Sequence, residues 1–82
     1  MKTKYQFIYF EKIGETPKTS KWSCRNNNSD DQIGIIKWYP GWRQYCFFSE
    51  PAIYSIGCLQ DIQDFIKQLN VLRTNKLKEN KE

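Results

Sequence analysis

The chain contains no histidine, so it lacks the side chain that most often acts as a general base or metal ligand near neutral pH. Its four glycines are isolated from one another, which excludes a glycine-rich loop that cradles phosphate. The close carboxylate pairs are Asp30 with Asp31, in a polar loop, and Asp61 with Asp64, on the predicted solvent side of a helix. We therefore expect a protein that is not an enzyme, with no catalytic residues, no metal site and no cofactor.

Long apolar runs and a cysteine framework are also missing. No stretch approaches the roughly 18 to 20 consecutive apolar residues that cross a bilayer, and residues 1–10 lack the layout of a signal peptide. We expect a cytosolic protein with no membrane partner. Cys24, Cys46 and Cys58 are odd in number and widely spaced, which argues against a disulfide framework or a zinc site. They should be reduced and mostly buried.

The length of 82 residues limits the chain to one domain, because a domain of this size buries only about 60–65% of the surface of its unfolded chain. Three Trp, five Tyr and five Phe partly offset the small size, since each ring buries on the order of 150–250 Å². We expect a single domain over residues 1–73. Residues 74–82 hold one large apolar side chain among polar and charged ones, which predicts a disordered or frayed tail.

Alternation of apolar and polar residues predicts an antiparallel β-meander. The predicted strands are Lys4 to Ile13, Lys21 to Arg25, Gln32 to Tyr39 and Arg43 to Phe48. In the second strand, Trp22 and Cys24 should point inward. Pro40 and Gly41 suit a tight turn, because proline presets φ and glycine accepts a positive φ. Ala52 to Ile56 is either a fifth, edge strand or an extended approach to a helix.

Apolar residues beyond Gly57 recur at spacings of three and four, which predicts an amphipathic helix of about four turns that begins near Cys58. This apolar stripe consists of Leu59, Ile62, Phe65, Ile66, Leu69 and Leu72. Ser55 and Gly57 are the candidate caps. The fold class that follows is α+β: a meander of four, or with Ala52 to Ile56 five, strands packed on one C-terminal helix.

The densest aromatic stretch is Lys37 to Phe48, with the sequence KWYPGWRQYCFF. One interpretation is a buried hairpin whose rings belong to the core. The other is a basic and aromatic outer sheet face that binds a partner, since Tyr, Trp and Arg are enriched in interface hot spots. The candidate partner-binding residues are Lys37, Trp38, Tyr39, Trp42, Arg43 and Tyr45. Strand parity assigns Lys37, Tyr39, Arg43 and Tyr45 to this outer face.

The same face could instead bind nucleic acid, because aromatic rings stack on unpaired bases while cations neutralise phosphates. The candidate phosphate contacts are Lys21, Arg25, Lys37 and Arg43. A net charge of +4 allows such a partner but is too small to require one. A third hypothesis is a homo-oligomer formed through an edge strand, either Ala52 to Ile56 or the first strand.

The segment from Lys37 to Phe48, followed by Cys58-Leu59-x-x-Ile62-x-x-Phe65-Ile66, resembles a group of short proteins from phages and bacterial mobile elements. Their shared pattern is an I-K-W-Y…W-R-Q-Y-x-F hairpin before a C-L-x-x-I-x-x-F-I helix, here within residues 33–69. The resemblance implies no activity and no site residues. It implies a phage accessory protein that works in the host cytosol, where many such proteins bind and block a host protein, for example one of antiviral defence, or attend nucleic acid. The leading hypothesis is therefore a small interaction module that binds a host protein.

Overall fold

The protein has an α+β fold, in which one antiparallel β-meander packs against one C-terminal helix. The computed structural model describes the backbone of residues 1–79 and the side chains of residues 1–75. The elements are β1 (Ile8–Glu15), β2 (Ser20–Asn26), β3 (Gln32–Tyr39), β4 (Gln44–Ser49) and α1 (Ile56–Glu79). The described part of the chain contains no helix that is both long and apolar enough to cross a bilayer.

The four strands lie in the order β1-β2-β3-β4, so each strand pairs with its neighbour in sequence. The predicted bounds of β3 are confirmed, and those of β2 and β4 differ by one residue at each end. Of the two alternatives predicted for Ala52 to Ile56, the structure has the approach to the helix and no fifth strand, since residues 52–55 have no regular structure and Ile56 begins α1. This connection is anchored by the Tyr54 hydroxyl, which lies 2.9 Å from both the Ile33 and the Glu50 carbonyl oxygen and shares its one proton between them.

The first strand begins at Ile8, later than the predicted Lys4, because the chain doubles back at its start. Lys4 forms an isolated antiparallel bridge with Tyr9, and the Tyr5 N–H donates to the Ile8 carbonyl at 2.9 Å. The Tyr5 hydroxyl donates to the Asp64 carboxylate at 2.7 Å. This bond fastens the N-terminal segment to the helix, a contact between distant residues that overrides the local preference for an extended chain.

The core lies between the sheet and α1, as the inward placement of Trp22 and Cys24 predicts. The Phe65 side chain is fully buried between two rings: it stacks on Phe10 with centroids 4.0 Å apart and meets Trp22 edge-on at 5.0 Å. The buried apolar residues form one cluster: Ile8, Phe10, Trp22, Cys24, Ile36, Tyr45, Ile62, Phe65 and Leu69. Cys24 is buried, whereas Cys46 and Cys58 are half-buried, and all three thiols are free.

The helix α1 spans 24 residues and is longer than the predicted four turns. Ser55 caps its N-terminus, because its hydroxyl accepts a hydrogen bond from the Cys58 N–H at 3.1 Å. Gly57, the other candidate cap, lies inside the first turn. The helix continues through the first part of the predicted tail to Glu79, and residues 80–82 of that tail lie outside the described residues. The two ends of the predicted apolar stripe, Leu59 and Leu72, are exposed.

Candidate functional site

The sheet has one face on α1 and one face free of any other described element, and the hairpin register decides which side chains share each face. Tyr39 pairs with Gln44, which leaves residues 40–43 as a four-residue loop. Trp38 pairs with Tyr45, and Lys37 pairs with Cys46. Tyr45 is buried in the core, so Trp38 and Tyr45 face the helix and Lys37 faces away from it.

The placement of Tyr45 on the outer face was therefore wrong. That placement requires Tyr39 to pair with Arg43, whereas Tyr39 pairs with Gln44 and Arg43 belongs to the loop. Because side chains alternate along a strand, this one-residue difference moves every odd-numbered residue of β4 to the helix side. The Tyr45 ring packs edge-on against Trp38 at 5.5 Å, and its hydroxyl accepts the Ser20 N–H at 3.1 Å.

Trp38 is also on the helix side and is not part of the outer surface. Its ring is half-buried against the core, and the Arg73 guanidinium lies 3.9 Å from the ring centroid. Arg73 also donates to the Lys18 carbonyl at 3.0 Å, which fixes it above the ring. These contacts of Arg73 hold the C-terminal half of the helix against the sheet. Trp38 therefore has a structural role.

The remaining predicted partner-binding residues do come together at the hairpin. Tyr39 meets the Trp42 ring edge-on at 5.3 Å and the Phe48 ring at 6.1 Å. The Lys37 ammonium lies 4.6 Å from the Phe48 ring centroid. We call these four residues and the adjacent Arg43 the aromatic patch. The partner-binding residues predicted from the sequence did not include Phe48. With a four-residue loop, Gln44 pairs with Tyr39, and the alternation of side chains along β4 then places Phe48 on the same face as Tyr39.

Exposure distinguishes the aromatic patch from the core. The Trp42 side chain is 69% exposed, and Tyr39 and Phe48 are 38% and 39% exposed. Single exposed apolar residues are ordinary on protein surfaces, but three contiguous rings are typical of a binding surface. The rings also contact one another and the Lys37 ammonium, so the patch is already ordered in the free protein. Such preorganisation lowers the entropy cost of binding.

The loop that carries Trp42 is held in an uncommon backbone conformation. The Trp42 N–H donates to the Tyr39 carbonyl at 3.2 Å, and the Arg43 N–H donates to the Pro40 carbonyl at 3.3 Å. Arg43 then closes the loop with φ of 53°, in the left-handed region. The prediction that Gly41 takes the positive φ was wrong. Gly41 has a different role, since a Cβ there would lie 3.0 Å from the Tyr39 ring, a tight contact that would require the ring to shift slightly.

The four candidate phosphate contacts do not form one continuous basic strip. Lys21 and Lys37 line the same shallow hollow of about 370 Å³ beside Trp38 and Pro40. Arg25 lies toward the opposite end of β2, with its guanidinium 3.6 Å from the Glu11 carboxylate and donating to the Asp30 carbonyl at 2.8 Å. Arg25 is thus already paired within the domain and is a poor phosphate ligand.

The same end of the outer face is acidic in character. The Tyr9 hydroxyl donates to the Asp30 carboxylate at 2.8 Å, and this bond raises the pKa of Tyr9 above its ordinary value. By contrast, the segment from Gln32 to Ser49 contains no Asp or Glu, and its charged residues are Lys37 and Arg43. Every charged residue of β3, the hairpin loop and β4 is therefore basic.

A second hollow, of about 490 Å³, lies between β1, β2 and the C-terminal half of α1. Trp22, Leu69 and Leu72 are among its apolar walls. Two of its three basic residues are engaged inside the domain: Lys12 donates to the Glu15 carboxylate at 2.7 Å, and Arg73 stacks on Trp38.

Groups with nucleophilic or metal-binding chemistry are dispersed. Burial raises the pKa of the Cys24 thiol to about 12, with a smaller contribution from Cys58, so Cys24 stays protonated at neutral pH. Among the side chains of residues 1–75, no three His, Cys, Asp or Glu cluster as metal ligands would.

Comparison with protein-family models, with curated proteins and with solved structures finds no match to this chain. The phage-like setting inferred from the hairpin and helix motifs stays a prediction.

Proposed function

We propose that this chain is a small non-enzymatic interaction module that binds a partner protein through the aromatic patch. The observation that carries the proposal is Trp42, a large ring that is 69% exposed yet held in place by an edge-on contact with Tyr39. Fully burying a side chain of this size stabilises by about 2 kcal/mol or more. The free domain lacks this stabilisation, because the Trp42 ring is exposed, and a partner that covers the ring would supply it.

The character of the patch also describes its partner. Trp, Tyr and Arg are enriched among the residues whose truncation costs most binding energy. Here Trp42 contacts Tyr39 and is followed in the chain by Arg43. Lys37 and Arg43 are not accompanied by any carboxylate between Gln32 and Ser49. A partner surface that combines acidic residues with an apolar pocket complements this patch, because its charges would speed encounter and fix orientation.

The resemblance to phage and mobile-element proteins supplies the setting for the proposal. In that setting the partner is a host protein, for example one of antiviral defence, and the module would block it by occupying its surface. The site of action is the cytosol of the host cell. This part of the proposal is an analogy drawn from the setting and carries no residue assignments.

Nucleic acid is the second candidate partner, favoured by the two lysines, Lys21 and Lys37, that line one hollow beside Trp38. The arrangement of Arg25 speaks against it, since its guanidinium already contacts Glu11 and Asp30. A titration with labelled single-stranded and double-stranded oligonucleotides at two salt concentrations separates the candidates. Phosphate contacts would weaken steeply with salt, whereas absence of binding at low salt would remove this candidate.

The test of the proposal is capture of a partner from host lysate with matched variants. We expect Trp42→Ala combined with Arg43→Ala to abolish capture while the far-ultraviolet circular dichroism stays unchanged. Ile53→Ala is the control, because Ile53 is fully exposed and lies outside the aromatic patch. Equal capture by the folded double variant and the unmodified chain would show that the proposed surface is wrong.

A further inference from the structure

The two edges of the sheet differ in how well they are protected from pairing with another strand. At the β1 edge the N-terminal segment covers the first residues of the strand: the Phe10 N–H donates to the Thr3 carbonyl at 2.8 Å, and Lys4 bridges Tyr9. The rest of β1 carries Glu11, Lys12 and Glu15. Its register with β2 also shifts between Lys12 and Gly14. Covering, charge and bulges are the means by which proteins prevent an edge from pairing further.

The β4 edge has none of these protections. Its six residues, QYCFFS, include no charged residue and no proline. Its register with β3 runs without a shift from Gly34 and Ser49 to Tyr39 and Gln44. In the part of the chain that the structure describes, no segment pairs with its far side, and β4 ends the strand order. An uncovered, regular and apolar edge is ready to accept another strand.

We propose that β4 accepts an extended acidic segment of the partner protein as a fifth strand. This inference rests on the proposed function and names the way in which the partner is recognised. The Lys37 side chain reaches across to β4, where its ammonium lies over the Phe48 ring. The added strand would run directly beside Phe48, so a carboxylate on its outer face would come close to this ammonium.

A second copy of the chain fits the β4 edge less well. Its own β4 would bring no carboxylate, since the segment from Gln32 to Ser49 contains none, and each copy carries a net charge of +4. Pairing two such edges would bring together two chains of net positive charge, and the nearest carboxylate, Glu50, lies beyond the end of β4 and away from Lys37 in the strand register. Charge therefore favours a strand from an acidic partner over self-association.

The alternation of β4 predicts the pattern of the bound segment. On the outer face the neighbours are Cys46 and Phe48, close to Lys37, and on the helix side the neighbour is the half-buried Phe47. Main-chain hydrogen bonds would supply affinity irrespective of sequence, and side chains at alternate positions would supply specificity. The bound segment should alternate Asp or Glu on one face with apolar residues on the other.

The test begins with a display library of random peptides of about eight residues, somewhat longer than a typical strand, selected on the full chain. Enriched peptides should alternate acidic and apolar residues. In amide exchange measured by nuclear magnetic resonance, adding such a peptide should slow the edge-facing amides of β4 by about tenfold or more. Enrichment of peptides without this pattern, or no enrichment, would overturn the proposal.

Two substitutions at one position test the charge requirement. Cys46→Glu should lower affinity for the enriched peptide by about tenfold, because the new carboxylate pairs with Lys37 and repels the acidic peptide. Cys46→Gln is the matched neutral control and should bind normally. Both variants should fold, since Cys46 lies on the outer face opposite Lys37. Equal affinities of the two variants would contradict the assigned role of Lys37.

The outcomes also separate this inference from the proposed function. Peptides that require Trp42 but leave the β4 amides unprotected would refute strand addition and leave the aromatic patch as the binding surface. Peptides that protect β4 and are insensitive to Trp42→Ala would support strand addition and contradict the role given to Trp42 in the proposed function. A dimer seen by analytical ultracentrifugation whose β4 amides are already protected would show that a second copy occupies the edge, contrary to the inference.

Discussion

The rings of Phe10 and Phe65 lie parallel, with their centroids 4.0 Å apart and 1° between their planes. This contact joins the sheet to the helix, and Phe65 is fully buried. Phe65→Ala should lower the free energy of unfolding by about 3–5 kcal/mol, since it removes a buried ring and leaves a cavity. Phe7→Ala is the control, because Phe7 is 48% exposed and should change stability far less. Urea unfolding followed by circular dichroism measures both, and similar losses would contradict the assignment of Phe65 to the core.

Gly34 is a position where the fold needs the absence of a side chain. A Cβ built there would lie 2.4 Å from the Phe47 ring and 2.9 Å from the Phe48 carbonyl oxygen. Gly34→Ala should therefore displace Phe47 and lower stability by about 1–3 kcal/mol. Gly14→Ala is the matched control, because the nearest atom to its Cβ would be 3.8 Å away, an ordinary contact. If thermal unfolding shows both variants at the melting temperature of the unmodified chain, the close approach of Phe47 to β3 is wrong.

Arg43 stores a small amount of backbone strain at the hairpin tip. A non-glycine residue in the left-handed region costs about 1 kcal/mol, and Arg43 has φ of 53°. Arg43→Gly should therefore raise the free energy of unfolding by about that amount while it weakens partner binding. Arg43→Ala removes the same charge but keeps the strain, so it should weaken binding without the gain in stability. Chemical denaturation of the pair reveals the difference, and equal stabilities would refute the strain.

Stability should fall in alkaline solution. Burial raises the pKa of Cys24 to about 12, and burial together with the bond to Asp64 raises the pKa of Tyr5. Both groups hold their protons more tightly in the folded chain than in the unfolded one. Their contribution is therefore complete below the unfolded pKa values and is lost as pH rises through the folded ones. We expect the free energy of unfolding to decline above about pH 9.

Urea unfolding at neutral and alkaline pH measures this decline. Cys24→Ala and Tyr5→Phe each remove one titrating group, so each variant should show a shallower loss of stability with pH than the unmodified chain. A stability that rises with alkali, or a decline that is unchanged in both variants, would contradict the assignment to these residues.

The β-meander and its helix follow from local patterns, which is why the sequence predicts them well. Trp22 and Cys24 alternate with polar residues on β2 and do face the core. Ser55 precedes the apolar stripe and does cap the helix. These features depend on the period of two in a strand, on the period of 3.6 in a helix and on capping chemistry, all of which act within a few residues.

The features that local patterns miss depend on register or on distant contacts. The face of Tyr45 depends on how many residues the hairpin loop holds, and proline with glycine at positions 40 and 41 fits more than one loop length. The start of β1 depends on the bond between Tyr5 and Asp64, 59 residues apart. The sequence consequently predicts the position of the aromatic patch at the hairpin, but it includes Trp38 and Tyr45, which face the helix, and omits Phe48.

The strand order places every strand beside the one that precedes or follows it along the chain. Each hairpin therefore closes a short loop, so the entropy lost on closing the loop is small compared with the contacts that the paired strands then form. The bonds of Lys2 and Tyr5 to Gln68 and Asp64 span most of the chain and can form only once the helix has docked. Refolding should thus be fast, on the order of milliseconds, with the N-terminal segment fastened to the helix last.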